Sequence, residues 1–146
     1  MFDYYVYTDG ACSRNGRTNA KAGIGIYFGE NDPRNISECI IGKQTNNTAE
    51  LKAIIKAFDI IKNDIPTKKI AIVSDSIYAI RCCTTYGEKI INNPKKIPNK
   101  ELVLQAYKLY RNTNVKFIHI AAHTNNNDIH SIGNKNADKL ATAAIN

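Results

Sequence analysis

"KIAIVSDS", residues 69–76, is the stretch on which the fold turns. Ile70, Ala71, Ile72 and Val73 run together without alternation and end in an acid, Asp75. So short an apolar run, following Pro66, is what a parallel strand buried on both faces requires. Upstream, residues 2–9, "AGIGIYF" (22–28) and "ISECIIG" (36–42) read as three further strands. The turn-rich connections at 10–21 and 29–35 suit antiparallel neighbours. In the second strand Gly23 and Gly25 alternate with Ile24, Ile26 and Phe28, so one face is bare and something must approach the backbone there.

Helices alternate with strands from there on. "NNTAELKAIIKAFDIIKN" (46–63) repeats Leu51, Ile54, Ile55, Phe58 and Ile61 at helical spacing, with Lys52, Lys56, Asp59 and Lys62 turned away. A helix is expected to start over 76–83, followed by a loop or distorted helix end over 84–98. An amphipathic helix follows in "NKELVLQAYKLYRN" (99–112), then a last strand in "VKFIHIAA" (115–122). "HTNNNDIHSIGN" (123–134) reads as a polar loop and 134–145 as an Ala-rich terminal helix. Strands in a run, then strands alternating with helices, give an α/β fold: a mixed sheet with helices packed on it. With 146 residues and no repeat, linker or low-complexity tail, one domain over 1–146 is expected.

The net charge of +7 suggests an anionic partner, nucleic acid foremost, although a composition rich in Ile, Lys and Asn also places lysines on a solvated surface. No stretch approaches the ~18 apolar residues of a membrane span. The strand pattern begins directly after Met1, leaving no room for a signal or transit peptide. A soluble intracellular protein, cytoplasmic or nuclear, is expected. Cys12, Cys39, Cys82 and Cys83 form no CxxC pair, and the adjacent Cys82 and Cys83 are poorly placed to bridge, so reduced thiols are expected rather than disulfides or zinc.

Four acids fall at expected element ends. Asp9 closes the first strand, Glu50 lies in the first turn of the first long helix, Asp75 closes the parallel strand, and Asp138 lies near the start of the terminal helix. Ligands collect beyond the carboxyl ends of parallel strands, so Asp9 and Asp75 can be neighbours there. Each acid also has a structural reading. Asp9-Gly10 suits a turn, Asn47 with Glu50 a capping box, Asp75 an N-cap, and Asp138 a first-turn acid favoured by the helix dipole. Gathered in one cleft, carboxylates repel and raise one another's pKa unless a cation sits among them. Hard oxygen ligands select Mg²⁺ or Mn²⁺ over zinc, and two such ions roughly 4 Å apart serve phosphodiester hydrolysis.

"YTDGACSRNG", "AGIGIYF", "GKQTNNTAEL", "IVSDSIY", "NKEL", "HIAAHT" and "SIGNKNADKLA", in that order between residues 4 and 144, resemble the signature segments of type 1 ribonuclease H. The resemblance implies a ribonuclease H-like fold: a five-stranded mixed sheet, three antiparallel strands then two parallel, with helices on both faces. It implies an endonuclease that uses two Mg²⁺ (Mn²⁺ as a substitute) to cut the RNA strand of RNA/DNA hybrids, leaving 3′-hydroxyl and 5′-phosphate ends. Asp9, Glu50, Asp75 and Asp138 would be the metal-binding carboxylates, and His123 the mobile histidine that helps proton transfer or product release. Cys12, Ser13, Asn15, Asn46 and Asn47 would line the RNA strand, where ribose 2′-hydroxyls can be read. Lys43, Thr45 and Asn99 would grip a phosphate of the DNA strand. A monomer with no membrane partner and no small-molecule cofactor is expected.

The chain departs from the family pattern in places. Where many members carry a Trp-containing basic protrusion, "IRCCTTYGEKIINNPKKIPNK" (80–100) is shorter and has no Trp. Its Arg81, Lys89, Lys95, Lys96 and Lys100 would contact phosphates without aromatic stacking, making binding weaker and more salt-sensitive. Ile77 replaces a residue that contacts RNA in relatives, and the stretch between His123 and Asp138 reads as a long loop. His119 reads as structural, and His130 matches no family residue. No hybrid-binding domain is expected ahead of Met1. Two rival readings are a junction resolvase on the same fold, against which "QTNNTAEL" argues, and a non-catalytic binding module, against which the four carboxylates argue.

Overall fold

The computed structural model describes residues 1–146. Strands β1 (Tyr4–Ser13), β2 (Lys21–Tyr27) and β3 (Ile36–Cys39) precede helix α1 (Asn46–Ile61). Then follow β4 (Ile70–Ser74), α2 (Ile77–Cys83), α3 (Thr85–Ile90), α4 (Lys100–Tyr110), β5 (Lys116–His119) and α5 (Ile129–Ala144). The sheet order is β3-β2-β1-β4-β5. β1 pairs antiparallel with β2 and parallel with β4, β3 pairs antiparallel with β2, and β5 runs parallel to β4. The five-stranded mixed sheet expected from the sequence is therefore present.

β4 is the strand buried throughout, and its two faces feed two cores. Ile70 and Ile72 join Val6, Ile24, Leu51, Ile54, Phe58 and Val103 in the larger one, under α1, α2 and α4. Val73 joins Tyr7 and Ala137 in the smaller one, under α5. Each fully buried Ile or Phe contributes about 1.5–3 kcal/mol relative to exposure.

The bare face of β2 is taken by α5. A Cβ on Gly23 would lie 2.8 Å from the Ala144 methyl, and one on Gly25 would lie 2.5 Å from the Ala141 nitrogen. What approaches this backbone is another helix of the same chain, small-faced through Ala137, Ala141 and Ala144.

Three assignments differ from the sequence reading in ways that bear on the site. β1 continues to Ser13, so Asp9 does not close the strand but sits within it, opposite Gly25. The segment 84–98 contains α3, whose Gly87 packs against the Tyr107 ring of α4. α5 begins at Ile129 rather than 134, capped by Asp128, whose carboxylate accepts the Ser131 N–H at 3.1 Å and hydroxyl at 2.7 Å. Position 133 thus lies in the helix, and it is glycine because a Cβ there would enter the Tyr7 ring. The expected long loop before Asp138 shrinks to about 120–128, and Asp138 stands well inside the helix rather than at its start. His130 donates or accepts at the Tyr7 hydroxyl (3.0 Å) and meets the Tyr5 ring edge-on. No helix is long and apolar enough to cross a membrane.

Gly25→Ala should cost about 1–3 kcal/mol through overpacking against α5. Gly29→Ala, where a Cβ meets nothing within 4 Å, is the control and should stay within about 0.5 kcal/mol. Urea denaturation of both variants measures the difference, and equal effects would contradict the packing.

Candidate active site

Gly10 is where the site begins. On Gly10 a Cβ would collide with the backbone of Ala49 and Glu50, so only glycine lets the first turn of α1 rest on β1. The Gly10 N–H is then shared by two carboxylates, Asp9 Oδ1 at 3.0 Å and Glu50 Oε1 at 2.6 Å. β4 runs parallel beside β1 and delivers Asp75 from the residue after its last paired position. One oxygen from each of Asp9, Glu50 and Asp75 lies within 4.8 Å of the others.

Competing local roles are filled by other residues. Ser76 caps α2, its hydroxyl accepting the Ala79 N–H at 3.1 Å, which frees Asp75. The capping box of α1 is closed by Thr45 and Thr48, not by Asn47 and Glu50. Asp9 makes no turn, since the strand runs through it.

Asp138 and His123 line the same 330 Å³ cleft with Asn46, Asn47 and Ser76, although Asp138 stays outside the three-way set. His123 is exposed, with left-handed backbone (φ 54°). Asp9 is 4% exposed. Burial first, then the charge of Asp75, pushes the Asp9 carboxyl well above the usual range; Asp138 adds to the rise and the hydrogen bond with Glu50 opposes it. Burial and the charges of Asp9 and Asp75 push Glu50 up as well. Acids held this way keep protons at neutral pH unless a cation supplies the missing countercharge. Three convergent carboxylate oxygens fit a hard, oxygen-seeking divalent ion.

Over residues 2–146 the chain matches the RNase H family model. It belongs to the RNase H family. A ribonuclease H of Schizosaccharomyces pombe is 38% identical over 143 residues, 93% of this chain and 50% of that protein. The ribonuclease H of Clostridium botulinum is 31% identical over 150 residues, 96% of this chain and 93% of that one. The chain thus spans half the length of the yeast relative and nearly all of the bacterial one. LC11-RNase H1, solved in complex with an RNA/DNA hybrid, superposes with a TM-score of 0.64 at 22% identity, covering 98% of this chain and 96% of that one. The RNase H likeness drawn from seven sequence segments is borne out.

The remaining candidate residues of this RNase H chain form two groups. Cys12 is half-buried against the larger core, and the Ser13 hydroxyl donates to the Lys21 carbonyl at 3.3 Å. Asn15 Oδ1 accepts the Asn46 N–H at 3.0 Å, tying the β1–β2 connection to α1. Exposed Asn46 and Asn47 stand beside the carboxylates. Farther along, Lys43 Nζ donates to Asn99 Oδ1 at 3.4 Å, and Asn99 Nδ2 donates to the Tyr78 hydroxyl at 3.2 Å. The Thr45 hydroxyl is occupied as the α1 cap. Of the basic residues in 80–100, Arg81, Lys89, Lys95 and Lys96 are exposed, whereas Lys100 is spent on the Lys95 carbonyl at 2.8 Å.

Two contributors escaped the sequence reading. The Gly10 amide carries no side-chain signal at all. Asn134, whose Nδ2 lies 3.3 Å from Asp75 Oδ2, stands four residues before Asp138. That helical spacing would have paired them had α5 been extended back to Asp128.

Without divalent ions, the folded state holds protons on Asp9 and Glu50 that the unfolded chain releases at ordinary carboxylate pKa values. Their contribution to stability is therefore fullest below about pH 4 and falls as pH rises above it. In EDTA, Asp9→Asn should melt above wild type by a margin that grows from pH 5 to pH 8. A margin independent of pH would contradict the assignment.

Proposed function

We propose that the chain is an endonuclease, dependent on a divalent cation, that hydrolyses the RNA strand of RNA/DNA hybrids to 3′-hydroxyl and 5′-phosphate products. The observation that carries it is the convergence of Asp9, Glu50 and Asp75 within 4.8 Å, in a cleft that Asp138 and His123 also line. Family membership and the hybrid-bound LC11-RNase H1 support it. So does the net charge of +7, an excess of lysine and arginine over all the acids of the chain that favours an anionic partner.

Asp9, Glu50 and Asp75 would hold the cation, with Asp138 completing a second position, so that two Mg²⁺, or Mn²⁺ in their place, occupy the cleft. When bound, such ions activate water and stabilise a leaving oxygen. The chain supplies positioning and proton handling. The buried carboxylates are fixed by the Gly10 N–H, which lowers reorganisation when phosphate arrives. His123, exposed at the cleft rim, can carry a proton to the departing 3′-oxygen or ease release of product. Asn46 and Asn47, beside Glu50, face where ribose 2′-hydroxyls of the RNA strand would lie, with Cys12, Ser13 and Asn15 extending that wall. Lys43 and Asn99, with Thr45 close by, offer a cation and an amide to a phosphate of the DNA strand.

Labelled RNA/DNA hybrid, double-stranded RNA, duplex DNA and a four-way junction, each with Mg²⁺ or EDTA, test the reading. Only the RNA of the hybrid should be cut, only with metal, and Asp75→Asn should abolish cutting. Junction cleavage would point to the resolvase reading, and EDTA-resistant hybrid cleavage would end the metal assignment. Lys43→Ala should weaken hybrid binding with little change in kcat, and reduce the slope of log affinity against log salt by about one. Fluorescence anisotropy at several salt concentrations measures that slope.

A further inference from the structure

Asn134 is 5% exposed, yet its amide is only half used. Nδ2 donates to Asp75 Oδ2 at 3.3 Å, and Oδ1 is buried with no partner. Because a carboxylate only accepts, the amide nitrogen must be the end facing Asp75. Leaving a buried polar atom unpaired costs free energy that an apolar side chain of the same size would avoid. Packing alone therefore does not account for an amide here.

Its location suggests what does. Asn134 lies one helical turn before Asp138, so both side chains leave α5 on one face. It lines a 240 Å³ pocket, walled only by polar residues, that His123 and Asp138 share and that adjoins the carboxylate cleft. Asp75 sits past the end of β4, beyond the last rung that pairs β4 with β1, so strand pairing does not orient its side chain. The Asn134 amide is the link between this free strand end and the helix that brings Asp138.

We propose that Asn134 is a positioning residue: its Nδ2 holds the Asp75 carboxylate in the orientation that faces Asp9 and Glu50, and sets α5, with Asp138, in register against the end of β4. Its influence on the reaction passes through Asp75, not through contact with substrate. The inference rests on the proposed function for its activity arm only.

Asn134→Leu and Asn134→Ala separate positioning from packing. Asn134→Leu keeps the branched shape and heavy-atom count, removes the donor and relieves the unpaired oxygen, so its melting temperature should stay close to that of wild type. Mg²⁺ binding, followed by titration calorimetry without nucleic acid, should nonetheless weaken about tenfold or more in both variants, as for other groups that orient metal ligands. On the hybrid, kcat at a fixed, subsaturating Mg²⁺ concentration should fall about tenfold or more while KM for the hybrid stays within about twofold. Asn134→Leu with Mg²⁺ affinity and kcat both within about twofold of wild type would overturn the proposal. So would losses in the two variants that merely track their melting temperatures. Should wild type fail to cut hybrid at all, the functional reading falls, and the calorimetry still decides the role of Asn134.

Discussion

The contact between Gly10 and the first turn of α1 governs how the site is built. A glycine there lets Ala49 and Glu50 approach β1 to a distance no other residue allows. The Gly10 N–H then points at Glu50 and Asp9 together. The bare strand position thus joins two elements and orients two acids with one donor. α5 uses the same device on the opposite face, at Gly23 and Gly25 of β2 and, through its own Gly133, against Tyr7. Helices seated this closely leave Glu50 little freedom to retreat from Asp9 and Asp75.

The arrangement has an energetic consequence. Asp9 is nearly sealed, and both it and Glu50 are held in surroundings that disfavour their charge. The two cores, one under α1, α2 and α4 and the other under α5, supply the apolar burial that tolerates this cluster. Stability and chemistry are therefore opposed at this edge of the sheet, as they often are where a fold keeps like charges together.

Much of this was legible beforehand, because periodicity reports burial directly. The unbroken run Ile70–Val73 announced a strand covered on both faces, and the Leu51-to-Ile61 spacing announced α1. Element ends were read less well where polar composition concealed regular structure. Asn125 to Asn127 and His130 to Gly133 resemble a loop, yet Asp128 nucleates a helix by capping and Gly133 is required by a ring on the neighbouring strand. Ordered motif segments identified Asp9, Glu50, Asp75 and Asp138 as a set, although the local reasons offered for the individual acids, a turn and a capping box among them, were taken by the continuing strand and by Thr45 and Thr48.

By itself the sequence determined the sheet class, the helical faces, the membership of the RNase H family and the acids worth watching, since these follow from short-range patterns and ordered motifs. It also revealed that one face of β2 had to be approached closely. Only the tertiary structure decided that α5, not a ligand, makes that approach. Only there do the Gly10 amide and the Asn134 side chain become parts of the site. Their roles depend on distances between segments 40 and 59 residues apart, and such distances leave no periodic trace in the chain.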